Sequence, residues 1–225
     1  MEFLHAIIVL SNFVIIPAIA YGSQLALGAL GVTLVYGILR FSNFAHGDTM
    51  AFGTMVAILF TWWFQSIGLS IAPLPTALLA LPIAITVTAV FLLGTDRLVL
   101  RFYRKQKSAP VILLIVSLGI MFVYNGLVRF IIGVGDQRFS DGARFIISAR
   151  DFKKLTGLDE GLAIKTTQVI TVITAVLVVI LLFWFLNRTR TGKSMRAFSD
   201  NEDLALLSGI NPVSYTHLTL PTNRE

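Results

Sequence analysis

From Thr49 to Thr95 the chain runs forty-seven residues without a single Asp, Glu, Lys or Arg, and the thirty-six residues from Leu4 to Leu39 are equally free of charge. A bilayer hydrocarbon core of roughly 30 Å takes about 20 apolar helical residues to cross, so these two stretches hold enough chain for up to about four passages. The mean hydropathy is +0.80, with 56% hydrophobic and only 13% charged residues, too few charges to coat a soluble domain of 225 residues. The fold class predicted is all-α, a polytopic transmembrane helix bundle occupying residues 1–213 as one membrane domain.

There is no cysteine, which excludes disulfides, cysteine nucleophiles and thiolate metal sites. His5, His46 and His217 lie far apart, with no partner at ligand spacing beyond Asp48 two residues after His46, so no metal site is expected. The net charge of +6 does not point to nucleic acid, because the bases gather at the ends of apolar segments instead of on one amphipathic face. They are topology signals. Arg97, Arg101, Arg104, Lys105 and Lys107, with Asp96 beside them, form one cluster, and Arg188, Arg190, Lys193 and Arg196 form another. Both are expected to face the cytoplasm. The loop from Gly133 to Ala163 balances five bases with five acids and suits the far side.

Two spans fit between these landmarks, Ser108 to Ile132 leaving the cytoplasm and Thr166 to Asn187 returning. Upstream, Pro73 to Thr95 enters the cytoplasm and Thr49 to Ser66 leaves it, which puts Phe41 to Asp48 inside. As one helix the thirty-six N-terminal residues measure about 54 Å, too long to stand upright. Pro17 and Tyr21-Gly22-Ser23 offer a break, so two helical segments are expected, with one tilted or re-entrant helix as the alternative. No basic region precedes the apolar run, and Glu2 stands in its place, so a cleaved signal peptide is not expected.

Within the spans, Gly22, Ala26, Ala29, Gly28 and Gly31 make a small-residue seam, read as ordinary helix packing before any substrate role. The turn Arg40-Phe41-Ser42-Asn43-Phe44-Ala45-His46-Gly47-Asp48 sets a base, an amide, an imidazole and a carboxylate between two spans. Polar groups at membrane depth are expensive, which makes Asn43, His46 and Asp48 candidates for a substrate path. The competing reading is an interfacial cap, with Asp48 or Ser42 holding a helix N-terminus. Asn125 stands at i,i+4 spacing from Arg129. It reads first as a bond across to another helix and second as a further member of the path.

Thr191-Gly192-Lys193-Ser194 fails as a phosphate-binding loop, because Asn187 occupies the position that the motif requires to be glycine. No nucleophile elbow or paired carboxylates support an enzyme. The run from Asp200 to Gly209 reads as a short cytoplasmic helix. Ser199, Asp200 or Asn201 caps it, Leu204 and Leu207 share a face, and Gly209 ends it. An exposed apolar stripe of this kind suits a partner, or packs back on the same protein.

Two segments carry a resemblance. Leu25 to Phe60, LALGALGVTLVYGILRFSNFAHGDTMAFGTMVAILF, resembles the first block of the LivH-type permeases of branched-chain amino acid ABC importers, above all at the NFAHGD turn of Asn43 to Asp48. The run TGKSMRAFSDNEDLALLSGIN, Thr191 to Asn211, is similar to that family's cytoplasmic loop. The resemblance implies that Asp200, Asn201, Leu204, Ala205, Leu207 and Gly209 belong to a coupling helix seated in a groove of an ATPase subunit. It also implies a bacterial inner-membrane protein forming half of a path for amino acids, paired with a second, LivM-like permease, cytoplasmic ABC ATPases and an extracytoplasmic solute-binding protein. Lipid surrounds it, nucleic acid is no partner, and the chain itself holds no cofactor, since ATP is bound by the partner subunit. Leucine, isoleucine and valine are the default substrates, with urea, short amides or other amino acids as alternatives. A stand-alone secondary transporter or channel for small polar solutes is the competing function, and a membrane scaffold a third. The family continues beyond this loop with further spans, whereas Ser214 to Glu225, SYTHLTLPTNRE, is polar and resembles adapter read-through. The chain is expected to be truncated there, with residues 214–225 outside the fold.

Overall fold

The computed structural model describes residues 2–39, 41–71, 74–106, 108–137, 144–156, 161–201 and 204–205. Helices dominate. In chain order they are α1 (Glu2–Leu10), α2 (Ile16–Leu39), α3 (His46–Ser66), α4 (Ala77–Thr95), α5 (Arg101–Lys105), α6 (Pro110–Ile132), α7 (Ala149–Thr156), α8 (Thr166–Arg188) and α9 (Arg190–Asp200), with strands β1 (Phe145–Ile147) and β2 (Ile164–Lys165). Among the described residues, four helical runs are long and apolar enough to cross a membrane: His5–Ile38, Ala77–Lys105, Pro110–Ile132 and Thr166–Arg188. Helix α3 has 21 residues, about 31 Å of helix, also enough to cross. It is less apolar because it is the most enclosed. Thr49, Phe52, Met55, Val56, Ile58 and Thr61 are all buried on it, and a helix shielded from lipid by its neighbours can carry hydroxyls that bond its own backbone, as Thr61 Oγ1 does to Ala57 O at 2.7 Å.

Helices α3, α4 and α6 pack as one sheaf, and α2, α8 and α9 as a second. In the first, Phe52 stacks on Phe91 with ring centroids 4.2 Å apart, Tyr124 tilts against both, and its hydroxyl lies 2.6 Å from Thr95 Oγ1. Phe52, Met55, Val56 and Ala84 form the apolar centre of that sheaf. Gly53 lets α3 approach α4 closely, since a Cβ there would lie 3.3 Å from Thr88 Oγ1. The turn after α3 uses Gly68 at φ 78°, and α6 stops at Gly133 at φ 86°, both left-handed positions that suit glycine.

The N-terminal stretch differs from the expected pair of helices. Helical backbone runs without a break from Glu2 to Leu39, and Ser11–Ile15 forms a π-helical turn in which Ile16 N–H bonds Ser11 O. Proline at 17 has no N–H to give to a carbonyl one turn earlier, and the widened turn immediately before it absorbs that loss where a break was expected at Tyr21-Gly22-Ser23. A second π turn, Asp96–Leu100, joins α4 to α5, so most of the basic cluster read as a topology signal sits on a continuation of the helix.

The segment between α6 and α8 carries secondary structure of its own. Strands β1 and β2 pair antiparallel. Ser148 Oγ accepts from Asp151 N–H at 3.2 Å and donates to Asp151 Oδ2 at 2.7 Å, a reciprocal cap that starts α7. Asn12, on the N-terminal π turn, ties this segment down. Its Oδ1 accepts from Ala163 N–H at 3.3 Å and its Nδ2 donates to Gly161 O at 3.5 Å.

Candidate functional site

Chain leaving α2 at Leu39 does not enter α3 at the level where α2 ends. His46 packs on Gly31, where a Cβ would come within 2.6 Å of His46 Nε2, and Gly31 lies eight residues before Leu39, a drop of about 12 Å along a helix. On the other side Phe44 N–H donates to Ser117 Oγ at 3.1 Å, and Ser117 is seven residues into α6, about 10 Å from its start. Ala45 is buried with Ile120 and Tyr124, and Val99 and Leu100 pack against the same cluster. Three neighbouring elements therefore run roughly 8–12 Å past the start of α3 on that side. The turn from Phe41 to Ala45 climbs back between them, and α3 begins at the bottom of a recess.

The polar groups of the turn are arranged around this start. Asn43 folds over it, its Oδ1 accepting from Ala45 N–H at 3.1 Å and its carbonyl from His46 N–H at 3.3 Å. Thr49 N–H bonds Ala45 O at 2.9 Å, and Thr49 Oγ1 donates to His46 O at 2.6 Å. The backbone N–H groups of Gly47 and Asp48 find no partner among the described residues. Asp48 Oδ1 accepts from Asn125 Nδ2 at 3.0 Å, across from α3 to α6. No cation pairs with Asp48 among the described residues, where the one ion pair joins Asp96 and Arg104. The positive end of the α3 dipole is what offsets the carboxylate.

The structure gathers Asn43, His46 and Asp48 at the start of α3 and bonds Asp48 to Asn125 of α6. It also corrects the expected cap. Ala45 is the N-cap residue and makes no side-chain cap bond. Asp48 turns to Asn125 because a side chain in the third helical position can reach sideways to α6, while Asn43 covers the free backbone end in its place. The reading of Asn125 as a bond to another helix holds. Sequence reasoning missed Ser117, fully buried and bonded to Phe44 N–H and to Leu114 O. A lone serine in an apolar helix carried no signal for that role.

The family described as "Branched-chain amino acid transport system / permease component" matches residues 14–220. This chain belongs to that family. The high-affinity branched-chain amino acid transport system permease protein BraD of Pseudomonas aeruginosa is 28% identical over 91% of this chain and 64% of its own length. The corresponding LivH protein of Salmonella typhimurium is 27% identical over 86% of this chain and 60% of its own. The probable LivH permease protein of Methanocaldococcus jannaschii is 29% identical over 86% of this chain and 56% of its own. The chain thus spans about three fifths of the length of these relatives. No solved structure matches it.

In this member of the permease family the Asn43–Asp48 turn is the floor of the recess, and the second resembling segment lies against the same, C-terminal end of α2. Helix α9, which the sequence does not predict as a helix, is capped by Thr189, whose Oγ1 accepts from Gly192 N–H at 3.0 Å. Gly192 touches the backbone of Phe185 and Leu186 so closely that a Cβ would collide with both. That contact, not phosphate, explains the glycine of Thr191-Gly192-Lys193-Ser194. Arg196 donates to Asn187 Oδ1 at 2.5 Å, Phe198 is buried, and Gly37 of α2 faces Ser199. Helix α9 ends at Asp200, and Asn201 opens a new turn, its Oδ1 accepting from Leu204 N–H at 3.1 Å and its carbonyl from Ala205 N–H at 3.1 Å. Asn201, one of the three candidate caps, bonds the turn. Leu204 is 61% exposed and Ala205 is 3% exposed. Leu207 and Gly209 of the expected coupling helix, and the expected boundary at 213 with its tail of residues 214–225, lie outside the described residues.

Proposed function

We propose that this chain is the permease subunit of an ATP-binding cassette importer of the inner membrane, forming half of the transmembrane path for branched-chain or other small amino acids. Its family membership over residues 14–220 is the observation that carries this reading. The other half comes from a second, LivM-like permease, the energy from cytoplasmic ATPases that bind ATP, and the substrate from an extracytoplasmic binding protein.

The recess is the part of the chain suited to meet a zwitterion. Asp48 offers a carboxylate without a cation partner among the described residues, complementary to an α-ammonium group. Asn125 holds that carboxylate in place. Gly47 and Asp48 present unpaired backbone N–H groups at a helix N-terminus, which suits a carboxylate. Asn43 shapes the turn, and His46 closes its side toward α2. Holding a half-buried Asp48 with only an amide for company costs stability, and such groups in spans are retained for pathways more than for packing.

Coupling falls to the segment that begins at Asp200 and Asn201. Leu204 and Leu207 are the anchors, Ala205 packs inward, and Gly209 ends the helix. Motion of the ATPases reaches the recess through α9, which touches both α8 and α2. The test is assembly. With the ATPase and partner permease of a branched-chain amino acid system co-expressed, the ATPase is expected to co-purify with this chain from membranes, and Leu204→Asp should weaken that at least tenfold by placing a charge in an apolar groove. A chain that inserts normally but retains no ATPase contradicts the reading.

A further inference from the structure

The π turn at Asp96–Leu100 adds one residue to the helix turn, so Asp96 and Arg104 stand as an i,i+7 pair would in a plain α-helix, two turns apart on one face. Arg104 closes that gap, its Nη2 donating to Asp96 Oδ1 at 2.6 Å and Oδ2 at 2.7 Å. The only acid of the cluster is thereby taken up by one of its bases. Arg97, Arg101 and Lys105 are left without an ion pair among the described residues. The same added residue brings Arg97 and Lys105 onto one face, with Arg101 one turn from each. Beside this stripe, Leu98 is 81% exposed and Phe102 is 56% exposed. Ile85 and Val90 of α4, in the span itself, are exposed as well.

A stripe of free cations set directly beside exposed apolar side chains, at the end of a membrane helix, has the chemistry of a lipid with a negative headgroup. We propose that the α4–α5 junction is a docking site for an anionic phospholipid, whose phosphate lies along Arg97, Arg101 and Lys105 while an acyl chain lies along Leu98 and Phe102. The occupant is a lipid and not an acidic protein, because Leu98 and Phe102 are exposed apolar side chains within the candidate span Ala77–Lys105. The Asp96–Arg104 pair positions the site by keeping the carboxylate away from the phosphate.

The test uses the whole 225-residue chain in micelles holding equal amounts of phosphatidylglycerol and phosphatidylcholine, with retained lipid counted by native mass spectrometry. Each cation near an anionic surface contributes roughly a fivefold preference, so the three together give on the order of a hundredfold. The Arg97→Gln, Arg101→Gln, Lys105→Gln triple variant should lose most of that preference, at least about tenfold more than the matching triple variant at Arg190, Lys193 and Arg196 loses. Equal loss in both variants, or none in the first, overturns the site. So does a first variant that keeps its lipid preference while losing a protein partner. A measurement needing no variant guards against misfolding: the preference of the unmodified chain must collapse at about 0.5 M salt, and persistence there contradicts a headgroup held by these cations.

Discussion

At the scale of single residues, the bond from Asn125 Nδ2 to Asp48 Oδ1 carries the most consequence, because it separates structure from transport. Asp48→Asn keeps an acceptor for Asn125 and removes the charge. Asp48→Leu removes both and leaves the amide unpaired in an apolar setting, a loss of about 1–3 kcal/mol. Thermal unfolding in detergent should therefore rank Asp48→Leu well below Asp48→Asn, with Asp48→Asn near the unmodified chain. Uptake should rank them differently: both variants are expected to fall at least tenfold, since an ammonium group loses its counter-charge in each. Full uptake by Asp48→Asn would reduce Asp48 to a structural role. The contact between Gly31 and His46 gives a second test. A Cβ at Gly31 meets the imidazole at 2.6 Å, so Gly31→Ala should destabilise by about 1–3 kcal/mol. The Gly31→Ala, His46→Ala double variant should recover most of that in a double-mutant cycle.

At the scale of elements, what could be read from the sequence follows from how each boundary is set. Helices α6 and α8 begin and end close to where charge and apolarity change, because Pro110 and Gly133 punctuate one and Lys165 and Arg188 flank the other. The two π turns were not legible. Ser11–Ile15 is ordinary apolar sequence whose only cue is the proline that follows, and Asp96–Leu100 looks like the entry to a loop until its helix is seen to continue. Helix α9 was hidden for another reason, since Thr-Arg-Thr-Gly-Lys-Ser resembles a loop more than the capped helix it forms. Its packing is testable. Gly192→Val places a branched side chain against the backbone of Phe185 and Leu186, and protease protection of the α8–α9 junction should be lost while the spans still insert. For the segment beyond it, Leu207→Asp is expected to behave as Leu204→Asp does, with ATPase retention as the readout.

For the whole molecule, the order of the long helices after Leu39 was readable because lipid demands long uncharged helices, and the charge bias gives their expected orientation. The recess was not readable. It arises from offsets between helices, with α2 and α6 running about 10–12 Å past the start of α3, and no residue pattern within one segment encodes such an offset. Asn43, His46, Asp48 and Asn125 could be nominated as polar residues out of place, but their convergence depends on that geometry. Orientation is checked by single cysteines at Ser108 and at exposed Lys153. A membrane-impermeant thiol reagent should label only position 153 from outside, and labelling at 108 would invert the topology. The central claim is transport driven by a partner's ATP through the recess, and uptake of labelled leucine into proteoliposomes tests it most directly. With the second permease, the ATPase and the binding protein present, uptake is expected to require ATP and binding protein and to collapse in the Asp48→Leu variant. Uptake that follows an ion gradient without ATP, or that survives Asp48→Leu intact, would contradict it.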